Sequence, residues 1–88
     1  MPERILIVDD DADSTFLARR SLQSVFPHAM VEHVSSGQAA LELLRQHEYT
    51  AIVTDYRMPY MDGLTLVRQI RGLNLQMPIV MRLSLIHI

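Results

Sequence analysis

Apolar and polar positions along the chain follow two different rhythms. Ile5-Leu6-Ile7-Val8 is continuously apolar, as expected of a strand covered on both faces, and Ala51-Ile52-Val53 and Ile79-Val80-Met81 read the same way. Met30-Val31-Glu32-His33-Val34 is interrupted by polar residues and fits a strand at the sheet edge. Between these runs the spacing is helical. The first helix follows Asp11 to Asp13, any of which can cap it, and sets Ala18, Leu22 and Val25 on one face; Pro27 ends it. The second starts after Ser35 or Ser36 and carries Gly37, Ala40, Leu41 and Leu44 at i, i+3, i+4 and i+7. The third repeats that stripe with Gly63, Leu66, Val67 and Ile70, and Gly72 supplies a C-terminal stop. The shared stripe predicts that the second and third helices dock on the same kind of surface.

The resulting order, βαβαβαβ, predicts a parallel sheet with helices on both faces. Crossovers are nearly always right-handed. With the second strand at the edge, the strand order becomes 2-1-3-4 and the chain reverses direction between strands 1 and 3. Sites in such sheets lie at the carboxyl ends of the strands flanking that reversal.

Two acidic features fall at that place. Strand 1 ends in Asp9-Asp10-Asp11 and strand 3 ends in Asp55. Taken singly, each has an ordinary explanation, as a helix cap or a turn former. Their coincidence at one crevice is what points to chemistry. An oxygen-only cluster favours a hard divalent ion, Mg2+ above all. Pro59 limits the loop that follows Asp55, and Asp62-Gly63 turns the chain into the third helix. Such a loop can aim a carbonyl at a metal and amides at a phosphoryl group. Asp13 reads as a first-turn helix acid.

Composition narrows the reading further. The 88 residues, 49% of them hydrophobic, make one small domain with an ordinary core, and a domain of this size buries only about two-thirds of its unfolded surface. The net charge of -2 leaves no basic footprint for nucleic acid. The absence of cysteine excludes disulfides and thiolate metal sites. No secretory signal or membrane-length apolar run is present, so a cytoplasmic protein with no membrane partner is expected. The four histidines lack metal spacing, and His33 reads as a surface residue. The methionines read as core filler, and Tyr56 and Tyr60 as loop packing or partner surface.

The chain resembles the receiver domain of two-component response regulators. The match is carried by Ile5 to Asp11, Ser36-Gly37 with Ala40-Leu41, Val53-Thr54-Asp55, Met58-Pro59 and Met61-Asp62-Gly63-Leu64, and it covers Arg4 to Arg82. The resemblance implies a flavodoxin-like (CheY-like) doubly wound α/β fold, here with strand 5 and helix 5 missing. It also implies that Asp55 accepts a phosphoryl group from a sensor histidine kinase or phosphotransfer protein and later loses it by hydrolysis. Asp9 and Asp10 match the metal-binding acidic pair, Asp10 more directly, and Arg57 the position whose main-chain carbonyl joins the Mg2+ shell. The expected activity is that of a phospho-acceptor signalling domain, with any DNA-binding output left to a further domain.

The family pattern also calls for a Ser or Thr ending strand 4 and a Lys ending strand 5. The Ser/Thr position falls on Leu83, with Ser84 one place late, and no lysine occurs in these 88 residues. Leu83 to Ile88 resembles the translation of a transposon-end sequencing adaptor, so the expected partition is a partial receiver over 4–82 and a non-native tail over 83–88. Strand 4 then becomes an apolar sheet edge, which invites aggregation. Two rivals stand beside this reading. In a haloacid-dehalogenase-type phosphatase Asp9 and Asp11 would form the Asp-x-Asp pair, although Asp13 stands where that family wants Thr or Val. In a receiver-like scaffold the site would bind partners without taking phosphate.

Overall fold

The computed structural model describes residues 3–58 and 60–82. The expectations placed on Pro59, Leu83, Ser84 and the 83–88 tail lie outside the described residues.

Seven elements follow one another: β1 (Arg4–Val8), α1 (Ala12–Val25), β2 (Met30–Val34), α2 (Gly37–Gln46), β3 (Ala51–Asp55), α3 (Gly63–Gly72) and β4 (Ile79–Arg82). The four strands form one parallel sheet in the order β2-β1-β3-β4. This is the doubly wound arrangement expected from the alternation of elements, with the reversal between β1 and β3.

Alternate residues of each strand serve opposite faces. Leu6, Val8 and Ile52 pack with Ala40, Leu41 and Leu44 of α2 and Leu66 and Ile70 of α3. Ile5, Ile7 and Val31 pack with Ala18 and Leu22 of α1. Two helices therefore cover one face and one helix the other. The α2 stripe is buried in full, and in α3 only Val67 is half-buried.

Each helix starts on a side-chain cap. Asp11, Ser36 and Asp62 accept hydrogen bonds from the amides of Ser14, Ala39 and Thr65 at 2.9, 3.1 and 2.8 Å, satisfying amides that the first turn leaves unpaired. Asp13 lies in the first turn of α1, where the helix dipole favours it.

Three expectations are corrected in part. Val25 lies on the α1 stripe but is 69% exposed, because contact with the sheet ends at Leu22. α3 ends at Gly72 as expected, but the left-handed turn that follows falls on Asn74, with φ 63°, a role asparagine tolerates. Ile79-Val80-Met81 is not the doubly covered strand that its apolar run suggests; among the described residues it is the sheet edge that the expected strand order predicts, and Val80 and Met81 are exposed.

Candidate phospho-acceptor and metal site

The carboxyl ends of β1 and β3 lie side by side because the two strands pair from Ile5–Ala51 to Val8–Thr54. Asp9 leaves β1 and Asp55 closes β3 at the same level. One carboxylate oxygen from each of Asp9, Asp10 and Asp55 lies within 4.8 Å of the others. Asp9 and Asp55 are only 2% and 4% exposed, whereas Asp10 reaches solvent.

Short-range bonds hold the arrangement. The Asp9 amide donates to the Val34 carbonyl at 3.1 Å, and Asp9 Oδ1 accepts from the Asp11 amide at 2.9 Å. The Tyr56 amide donates to the Arg82 carbonyl at 2.9 Å, and the Gly63 amide to the Tyr56 carbonyl at 2.8 Å. The loop after Asp55 is thus pinned to β4 on one side and to the first residue of α3 on the other. Arg57, two residues beyond Asp55, has an exposed side chain, and Met58 and Met61 pack on the core of α2 and α3. Tyr60 is fully exposed with φ 69°, a left-handed conformation that costs a non-glycine residue about 1–2 kcal/mol.

The charges are not neutralised locally. Burial, above all, pushes the Asp9 carboxyl above its ordinary range; the Asp11 amide pulls it down, Asp55 and Asp10 push it further up, and Arg82 partly offsets them. Asp55 Oδ1 is buried without a hydrogen-bond partner, a condition costly for a carboxylate oxygen. Three convergent carboxylates with one such oxygen fit a hard divalent cation that takes a few protein oxygens and keeps its waters. The donor set contains no nitrogen or sulfur, which fits Mg2+ better than zinc or copper.

A family profile described as response regulator receiver domain matches residues 5–84. The chain belongs to the response regulator receiver family. Response regulator MprA of Mycolicibacterium vanbaalenii is 41% identical to it over 80 residues, which is 91% of this chain and 34% of that protein. The receiver chain therefore spans about a third of the length of that curated relative. The receiver domain of Francisella response regulator 1452 superposes with a TM-score of 0.83 at 26% identity, covering 97% of this chain and 69% of that one. A chain of the complex between histidine kinase ThkA and response regulator TrrA superposes with a TM-score of 0.82 at 26% identity, over 97% of this chain and 72% of that one.

Within this receiver the acidic run divides its labour. Asp9 and Asp10 join Asp55, while Asp11 is the α1 cap. That division disfavours the phosphatase alternative, which needs Asp11 in the site. Two residues escaped the sequence reading. His33, though exposed, places Nε2 3.0 Å from the Asp9 carbonyl, so its ring braces the strand end and is not merely surface. Arg82 bears on Asp9 from the end of β4. A partner that is a backbone carbonyl leaves no trace in sequence; the Arg82 placement needed the β3–β4 register.

Proposed function

We propose that this receiver takes a phosphoryl group on Asp55 from a phosphohistidine of a sensor histidine kinase or phosphotransfer protein in the cytoplasm. Asp9, Asp10, Asp55 and the main-chain carbonyl of Arg57 would hold Mg2+. The observation that carries the reading is the meeting of three carboxylate oxygens within 4.8 Å, with Asp55 Oδ1 buried and unpaired. Among the described residues no helix is long and apolar enough to cross a membrane.

In the transfer, an Asp55 carboxylate oxygen attacks phosphorus, the P–N bond to imidazole breaks and the ring nitrogen leaves with the bonding pair. Hydrolysis reverses the state of Asp55: water attacks phosphorus, the P–O bond to the carboxyl breaks, and inorganic phosphate departs. The transition state is loose, with charge spread over the equatorial oxygens, so rate comes from positioning and charge neutralisation. Mg2+, when bound, would offset the clustered carboxylate charge and neutralise phosphoryl oxygens. The chain itself would supply the positioning: β3 ends at Asp55, and the Tyr56 amide bond to β4 and the Gly63 amide bond to the Tyr56 carbonyl hold the backbone just after it.

The test is incubation of the chain with acetyl phosphate and Mg2+, read by intact mass. A single phosphoryl addition is expected, absent in Asp55→Asn and slowed in Asp10→Asn at limiting Mg2+. Labelling of Asp55→Asn at the wild-type rate would remove the assignment. A folded wild-type chain that never labels would identify the scaffold reading instead.

A further inference from the structure

Arg82 stands in register with Asp55 across the β3–β4 pair, and registered residues of adjacent strands project to the same face of the sheet. Arg82 Nη1 is buried and has no hydrogen-bond partner, the same condition as Asp55 Oδ1. The two do not satisfy each other, for the ion pairs formed among the described residues join Arg4 to Glu32 and Arg45 to Glu42. The strand end that carries Arg82 is tied to the acceptor through the Tyr56 amide bond at 2.9 Å.

A buried guanidinium N–H left unpaired on the strand in register with a buried unpaired carboxylate oxygen leaves both groups open to a further partner. A metal ion answers only the carboxylate, because a guanidinium repels a cation. An oxyanion answers the guanidinium, whose planar fork suits phosphoryl oxygens. We propose that Arg82 binds an oxygen of the phosphoryl group on Asp55, acting as a cationic positioning residue of the phosphorylated state. This rests on the assignment of Asp55 above and adds a residue to it.

The proposal separates the two ligands of the site by sign. Removing the Arg82 charge weakens an oxyanion and strengthens a metal ion. The probes are Mg2+ alone, and beryllofluoride with Mg2+ as a non-covalent stand-in for the phosphoryl group, each titrated by calorimetry into the 88-residue chain and its Arg82→Met variant. Loss of one charge-assisted hydrogen bond predicts beryllofluoride binding about tenfold weaker. Mg2+ binding to the same variant is expected to tighten by roughly two- to fivefold, since a nearby positive charge is gone. A role confined to holding the sheet edge would weaken both together, and that result overturns the proposal. So does unchanged beryllofluoride affinity in a variant with a wild-type circular dichroism spectrum. Where Arg82→Met fails to fold, Arg82→Gln, which keeps a polar end on a shorter stem, decides by the same two titrations. A wild-type chain that takes no beryllofluoride overturns this proposal and the Asp55 assignment alike; binding that depends on Asp55 but ignores Arg82 overturns this proposal alone.

Discussion

A β-carbon at Gly63 would lie 2.6 Å from the main-chain oxygen of Asp55 and 3.0 Å from Tyr56 Cα. These neighbours are backbone atoms, which cannot rotate aside, and the Gly63 amide already donates to the Tyr56 carbonyl. The first residue of α3 is therefore packed against the acceptor's own peptide.

Gly63→Ala must push α3 away from the end of β3. Overpacking of this kind costs about 1–3 kcal/mol, and here the strain falls on the residue that presents the Asp55 carboxyl. A lower melting temperature and weaker Mg2+ binding by calorimetry are expected together. Wild-type values for both would show slack where the structure has none.

At the other end of the same helix the same substitution has the opposite sign. Gly72 is exposed, its φ is not positive, and a β-carbon there meets nothing within 4 Å. Gly72→Ala restricts the unfolded chain without a clash in the folded one, a gain of about 0.4–1 kcal/mol. Thermal unfolding should show a rise of a few degrees. A fall would mean that the end of α3 needs glycine after all.

The pair Gly63 and Gly72 also shows what was legible in sequence. Periodicity reports direction around a helix axis, so the α2 stripe of Gly37, Ala40, Leu41 and Leu44 was readable in full. It does not report how far the covering surface extends, and Val25 sits on the α1 stripe yet projects past the last contact at Leu22. An apolar run reports that a strand can be buried, not that it is; the strand order, not the run, is what put β4 at the edge. The meeting of Asp9, Asp10 and Asp55 was readable because strand order and crossover hand alone place strand ends together. The His33 contact with the Asp9 carbonyl and the placement of Arg82 depend on register and backbone atoms, which leave no residue pattern.

A polar cluster at the opposite end of the sheet gives the fold a pH dependence. Glu32 of β2 accepts from Arg4 Nη2 at 2.9 Å and from the Tyr49 hydroxyl, and the Arg4 guanidinium lies 5.0 Å from the centre of the Tyr49 ring. The Tyr49 hydrogen bond foremost, and Arg4 after it, hold the Glu32 carboxyl below its ordinary value of 4.5. A depressed carboxyl stabilises the fold above its unfolded value, and that contribution is lost as pH falls through the folded one. The melting temperature of the wild type should exceed that of Glu32→Gln at neutral pH, and the gap should close below pH about 4.5. A gap independent of pH would mean that the charge of Glu32 contributes nothing.

The metal site sets stability against function at Asp10. Its side chain is exposed, while its charge pushes the buried Asp9 carboxyl upward. Without metal, Asp10→Asn removes one of three like charges, and the variant should melt at or above the wild-type temperature. With Mg2+ at ten times its dissociation constant, the wild type gains about 1.4 kcal/mol by mass action, and the variant, lacking one ligand, gains less. Melting temperature plotted against Mg2+ concentration should therefore cross between the two proteins, and a chelator should return the wild type to its lower starting value. Parallel curves at every Mg2+ concentration would make Asp10 an ordinary surface acid and remove it from the metal site.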